Sequence, residues 1–428
     1  MEREHSKIKI ITYYCLMILI VILSIEMLAQ LTFYVIFMER YSAKKIKNYL
    51  IKEYDATERR ADFLKQEILH PYVGYVFDYG DEEINFRTQG FPTDNPPLAK
   101  REAGKLNIAI LGGSVAKELV PYIKEAWEQT FKITPNLVNL SCPGFKQPQQ
   151  LMALAYFLSL GAEYELVINI DGFNDIALPY SENYAYEINP FFPRSWKLRI
   201  TANPSHNELS LIGKVKYLRD IKQRKLKDLS NSVFNFSAFY GLIKMFQLKI
   251  NDMEIYNSSK SLSAMQLKMT KRFEESGPLE HYENISNMHE AAADVWLRSS
   301  WLINNMAKDG GYEYYHFLQP NQYYEGSKRL TRKEKRIAYS ANHMYRKSVI
   351  IGYPMLIERG MILVNNNIKF FDTTMIFANI AGTIYRDTCC HYNKQGSEIL
   401  AEMVIQKIKE NTNIDKLRPE IYRKINAN

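Results

Sequence analysis

Five short apolar runs rich in isoleucine, valine and aromatic residues, at 107–111, 137–140, 166–170, 314–318 and 368–371, constrain this chain most strongly. Helix-length amphipathic segments lie between them, for example 149–160 and 291–308. Strands that alternate with helices predict an α/β domain, a central parallel sheet covered on both faces as three layers. In such sheets the ligand site lies beyond the carboxyl ends of the strands. The residues that follow each run are therefore the place to look for chemistry.

The first run ends in NIAILGGSVAKE, where Gly112 and Gly113 allow a tight turn and a close approach to the main chain, so that Ser114 projects from it. The second is followed by NLSCPGF, with Gly144 just past the strand. The third continues into INIDGFNDIA, with Gly172 and Asn174 in the turn. Near the carboxyl end, YRDTCCHYNKQGSEILAEMVIQKI places Asp387 and His391 ahead of a helix whose apolar positions recur at helical spacing. The first turn lacks the Gly-Lys-Ser/Thr ending of a phosphate loop and the third glycine of a dinucleotide fingerprint, which excludes both. His316, at the end of the fourth run, reads as an interior histidine.

Taken together, the GGS turn, the glycine after the second strand, G-F-N-D after the third and the Asp-His pair before the last helix resemble the four blocks of the SGNH or GDSL-type serine esterases. The resemblance covers roughly 105–407, and the lead-in HPYVGYV with NFRTQGF looks like a membrane-anchored bacterial branch. It implies a flavodoxin-like three-layer fold with Ser114 as nucleophile, His391 as base and Asp387 as the acid that orients it. It also implies an oxyanion hole built from the amides of Ser114 and Gly144 and the side chain of Asn174. No cofactor is implied. Two departures stand out: Gly113 replaces the usual aspartate of the serine turn, and Asp387 lies four residues before His391 rather than three, the third place being Thr388.

The rest of the chain qualifies this picture. Residues 8–38 are almost continuously apolar, long enough for a helix across a hydrocarbon core that needs about 20 residues. Glu26 and Gln30 interrupt that segment, so that either the span lies in its earlier part or Glu26 meets a partner helix. Arg3, Lys7 and Lys9 precede it and Arg40, Lys44, Lys45 and Lys47 follow it, which leaves the orientation open. The expected organisation is an anchor over 1–40, a charged stalk and turn-rich lead-in over 41–104, a catalytic domain over 105–410 with a helical insertion at about 177–289, and a tail over 411–428.

The insertion carries a basic stretch, 211–227, whose charges fall on more than one face and read as a solvated helix. A net charge of +8, from 55 basic and 47 acidic residues spread along the chain, supports no claim on nucleic acid. The four cysteines, Cys15, Cys142, Cys389 and Cys390, form no CxxC pair, so no metal is expected; a bridge from Cys142 to Cys389 or Cys390 is left open. The expected partners are the membrane and an acylated carbohydrate or lipid substrate. The oligomeric state is open.

Overall fold

The apolar runs become the five strands of one parallel sheet. Strands buried on both faces need no polar alternation, and residues such as Ile108, Ile110, Val167 and Ile168 are wholly removed from solvent. The computed structural model describes residues 2–43, 67–102, 104–200, 206–268 and 273–412. In chain order its principal elements are α1 (Glu2–Phe37), β1 (Glu67–His70), β2 (Gly74–Phe77), β3 (Asn107–Gly112), α2 (Ser114–Phe131), β4 (Asn136–Asn139), α3 (Gln149–Ser159), β5 (Leu166–Asp171) and α4 (Phe173–Leu178). They continue with α5 (His206–Asn231), α6 (Ala238–Lys268), α7 (Ile285–Gly310), β6 (Glu313–Leu318), α8 (Arg346–Asn365), β7 (Lys369–Asp372) and α9 (Lys394–Asn411).

The strand order is β4-β3-β5-β6-β7, parallel throughout. This is the doubly wound order, in which the chain turns one way from β3 to β4 and the other way from β3 to β5. Right-handed crossovers then place α3, α7 and α8 on one face and α2 with α9 on the other. The result is an α/β/α fold with a central parallel sheet. Pairing of Gly112 with Ile170 ends β3 and β5 at the same level, which sets the turns carrying Ser114 and Asn174 side by side at the switch point. Helix α8 is long and apolar enough to cross a membrane, yet it buries Val349, Tyr353, Leu356 and Leu363 in the core of this layered domain.

The chain divides into two compact units. One holds 56–201 and 271–428; the other holds 1–55 and 202–270. Within the second, α5 and α6 form an antiparallel hairpin joined by the Lys222–Asp252 ion pair at 3.0 Å and by Asn251 Nδ2 donating to the Leu218 carbonyl at 2.9 Å. The basic stretch is part of α5, where Lys214, Lys216, Arg224 and Lys227 are exposed as expected. Helix α1 contains a 26-residue apolar segment, Thr12–Phe37, that is largely unburied. Glu26 meets a partner helix: its carboxylate lies at the start of α6. Of the stalk and lead-in expected over 41–104, residues 44–66 and 103 lie outside the described residues, as does nearly all of the tail.

Central burial sets the main stability of the layered domain, since each fully buried aliphatic side chain contributes about 1.5–3 kcal/mol. Replacing Ile168, fully buried in β5, by alanine is expected to lower the unfolding free energy by about 2–5 kcal/mol, read by urea denaturation of the full chain in detergent.

Candidate active site

Ser114 owes its position to two glycines. Gly112 closes β3 at φ +139°, and a Cβ there would stand 2.2 Å from the Ile170 carbonyl oxygen. At Gly113 a Cβ would stand 2.2 Å from Asn174 Nδ2. The Asn174 amide thus occupies the space that a side chain at this position would need. Ser114 then opens α2, where the first N–H groups have no acceptor within the helix.

His391 reaches this serine from the other end of the chain. Its Nε2 is 2.8 Å from Ser114 Oγ and its Nδ1 is 2.6 Å from Asp387 Oδ2, so hydroxyl, imidazole and carboxylate form one hydrogen-bonded row. The four-residue spacing is accommodated by a turn folded around the acid. Asp387 Oδ1 accepts the backbone N–H groups of Cys389 and Cys390 at 2.9 and 3.1 Å and, at 3.4 Å, that of His391, which leaves Oδ2 for the ring. Thr388 instead offers its carbonyl to the Tyr323 hydroxyl at 2.9 Å.

Outer contacts hold this loop in place. Glu334 Oε1 accepts the amides of Ile384 and Tyr385 at 2.8 and 3.1 Å, and Gln322 Nε2 donates to the Asp387 carbonyl at 3.0 Å. Arg386 donates to both carboxylate oxygens of Glu118, one turn beyond Ser114 on α2, and so ties the loop to the serine helix. His391 and Asp387 are buried while Ser114 and Asn174 are partly open, as a site approached from solvent requires. Burial alone would pull the imidazole down, but the Asp387 charge and hydrogen bond, with Glu118 behind them, push its pKa up to about 9.

The candidate oxyanion donors lie around the same serine. Asn174 lies in the first turn of α4 and its Nδ2 donates to the Phe145 carbonyl at 2.8 Å, next to the Gly144 turn. Asp175 links the two loops: Oδ1 accepts the Gln147 amide at 2.7 Å and Oδ2 the Gly172 amide at 3.0 Å. Burial and the neighbouring Asp171 push Asp175 up to about 8.

Gly144 has φ +83°, and a Cβ on it would overlap the Arg194 side chain at 2.0 Å. Arg194 is buried there, bonded to Glu67 of β1 at 2.9 Å and to the Tyr75 hydroxyl of β2 at 3.2 Å. Tyr75 in turn donates to the Pro143 carbonyl at 2.8 Å, so the lead-in hairpin braces the Gly144 turn. Arg194, Glu67, Glu118 and Arg386 carry no motif, and no periodicity or spacing signalled them. The buried lead-in aromatic Tyr75 was the nearest available cue.

Other expectations resolve by geometry. His316 is interior, with Nε2 2.7 Å from Asp171 Oδ1 and Nδ1 2.9 Å from Ser300 Oγ; Trp296 Nε1 also donates to Asp171, at 2.7 Å. All four cysteines are free thiols, so the bridge from Cys142 to Cys389 or Cys390 is not formed. Cys389, Cys390 and His391 lie close enough to offer three ligand atoms to a metal ion. Both ring nitrogens of His391 are engaged by Ser114 and Asp387, however, and burial raises the Cys390 thiol well above its ordinary range, a poor start for a metal site.

No protein-family model matches the chain, and no curated protein does. Solved structures similar to it include a GDSL-like lipase from Bacteroides thetaiotaomicron, 8% identical at a TM-score of 0.31 over 72% of this chain and 89% of that one. Another is the lipase Lip_vut3 from a goat rumen metagenome, 10% identical at a TM-score of 0.30 over 71% and 97%.

Because the folded-state pKa of His391 lies above its ordinary 6.5, the stability it contributes is complete below about 6.5 and is lost as pH rises through about 9. NMR titration of the ring should find its midpoint near 9, and Asp387→Asn should move that midpoint down, since burial then acts with less opposition.

Proposed function

We propose that this protein is a serine esterase of the SGNH/GDSL type, tethered to a membrane by α1, that hydrolyses acyl esters, chiefly O-acetyl groups, of an envelope or exported polysaccharide. The observation that carries the reading is the row Ser114 Oγ, His391 Nε2 and Nδ1, Asp387 Oδ2, assembled from residues up to 277 positions apart. The domain over 105–410 is the catalytic part in this reading, with 1–40 as the anchor and the catalytic side outside the cytoplasm.

The chemistry follows from the atoms. Asp387 accepts a hydrogen bond from Nδ1–H, which keeps the lone pair on Nε2, and Nε2 takes the Ser114 proton as Oγ attacks the acyl carbonyl carbon. The carbonyl π pair moves onto oxygen, where the amides of Ser114 and Gly144 and the Asn174 side chain donate to it. Collapse expels the sugar alkoxide, which takes the proton from Nε2. Water, deprotonated by the same nitrogen, then releases the acid and restores Ser114. Buried placement of base and acid keeps their hydrogen bonds strong while the serine stays open to a large substrate. A polysaccharide O-acetyltransferase would use the same residues with a sugar hydroxyl in place of water. An inactive glycan-binding scaffold would have no use for a base poised on the serine.

Hydrolysis of a small chromogenic acetyl ester tests the proposal. Ser114→Ala should lower kcat by at least about a thousandfold. Asn174→Ala should lower it by about 10²–10³-fold with little change in KM, because that donor is needed once charge develops on oxygen. The rate should rise with pH towards a plateau above about 9, since only unprotonated His391 can act as base. Retention of full activity in Ser114→Ala would end the esterase reading. Acetyl transfer to an oligosaccharide acceptor, in place of free acetate, would make the protein the transferase.

A further inference from the structure

The unit formed by α1, α5 and α6 has a feature that an esterase does not need. Glu26 of α1 accepts the backbone N–H groups of Ala238 and Phe239 at 2.6 and 3.3 Å and the Ser237 hydroxyl at 2.7 Å, capping the first turn of α6 from a neighbouring helix. A carboxylate is favourable at a helix N-terminus. Ala29 and Phe33 pack below the cap against Leu226, Leu229, Ala238 and Leu248, and the Tyr41 hydroxyl donates to the Asn235 carbonyl at 3.0 Å. The tip of the α5–α6 hairpin is thus pinned to one level of α1.

That level can be placed in a bilayer. The apolar segment Thr12–Phe37 is about 39 Å long at 1.5 Å per residue, against a hydrocarbon core of about 30 Å. Every window of about 20 residues within it contains Glu26. The residues bonded to Glu26 therefore lie at hydrocarbon depth, or at its edge, with it. Their composition suits that depth: residues 232–243 contain no charged side chain, and charge resumes at Lys227 and Asp228 on one arm and Lys244 on the other. Val233, Phe234 and Phe236 point outward, 79%, 58% and 74% exposed, beside exposed Phe239 and Phe246.

Much of the tip's backbone is also bonded within the protein. The amides of Ser232, Phe234, Asn235 and Ser237 donate to the Asp228 carbonyl, the Ser232 hydroxyl, the Ser232 carbonyl and the Phe234 carbonyl, and those of Ala238 and Phe239 donate to Glu26. Each bond made within the protein lowers the cost of placing the turn among acyl chains.

We infer that the tip of the α5–α6 hairpin, residues 232–243 with Phe246, is embedded among the acyl chains of the bilayer that α1 crosses, as a re-entrant wedge. The exposed Arg224 and Lys227, at the end of α5 nearest the tip, then face lipid headgroup phosphates. This rests on the reading of α1 as a membrane anchor.

The test uses the full chain in vesicles of phosphatidylcholine and phosphatidylglycerol, with the indole added by Phe234→Trp or Phe246→Trp read as variant minus wild type. Emission of both added indoles should be blue-shifted, fall by about half with brominated acyl chains and ignore aqueous iodide, as for an apolar face below the headgroups. Tyr217→Trp, near the middle of α5, should respond to iodide instead. Quenching of the Phe234→Trp and Phe246→Trp indoles by iodide and not by brominated lipid overturns the inference; Phe236→Trp replaces either variant that does not fold. Carbonate washing separates the two readings: release from the vesicles defeats the anchor, whereas firm retention with iodide-quenched tip indoles defeats the wedge alone.

Discussion

The carboxylate of Asp387 does two things at once, and the site depends on both. One oxygen gathers backbone amides and shapes the turn that carries His391; the other holds the imidazole against Ser114. A carboxylate with only the first contact would be an ordinary turn residue. The turn lets a spacing of four residues deliver the geometry that a spacing of three delivers elsewhere, because the extra residue is absorbed in the loop around Oδ1. Charge near the ring then lifts the basicity of a buried imidazole that burial would otherwise depress.

Around that row, the sheet provides position and the polar contacts provide rigidity. Ending β3 and β5 at one level brings the Ser114 and Asn174 turns together, and Asp175 fastens the third loop to the second. Glu118 and Arg386 fasten the histidine loop to the serine helix. Arg194, held by Glu67 and Tyr75, fills the space beside Gly144. Such networks matter because a reacting group displaced by 1 Å loses much of its rate advantage. The braces come from the lead-in and from the start of the insertion, segments that looked irregular by sequence.

Much of the layered domain was legible in advance. Buried strands advertise themselves as apolar runs, and turns that bring a backbone close to another atom require glycine, so Gly112, Gly113 and Gly144 marked strand ends before any coordinates. Glu118–Arg386 and Arg194–Glu67 were not legible, because an ion pair between residues more than a hundred positions apart leaves no local pattern. Glu26 shows the same limit: its position within an apolar helix signalled a partner, but which helix it would cap depended on how α5 and α6 fold back.

By itself the sequence determined the alternation of strand and helix, the apolar N-terminal helix, and the residue types waiting at each strand end, since periodicity and turn chemistry are local properties. Only the tertiary structure decided that Ser114, Asn174, Gly144, Asp387 and His391 meet, that Asp387 supports the imidazole across the four-residue spacing, and that the interior His316 pairs with Asp171. Those outcomes depend on strand order and loop closure. Both are settled by long-range packing, where distance along the chain says little about distance in space.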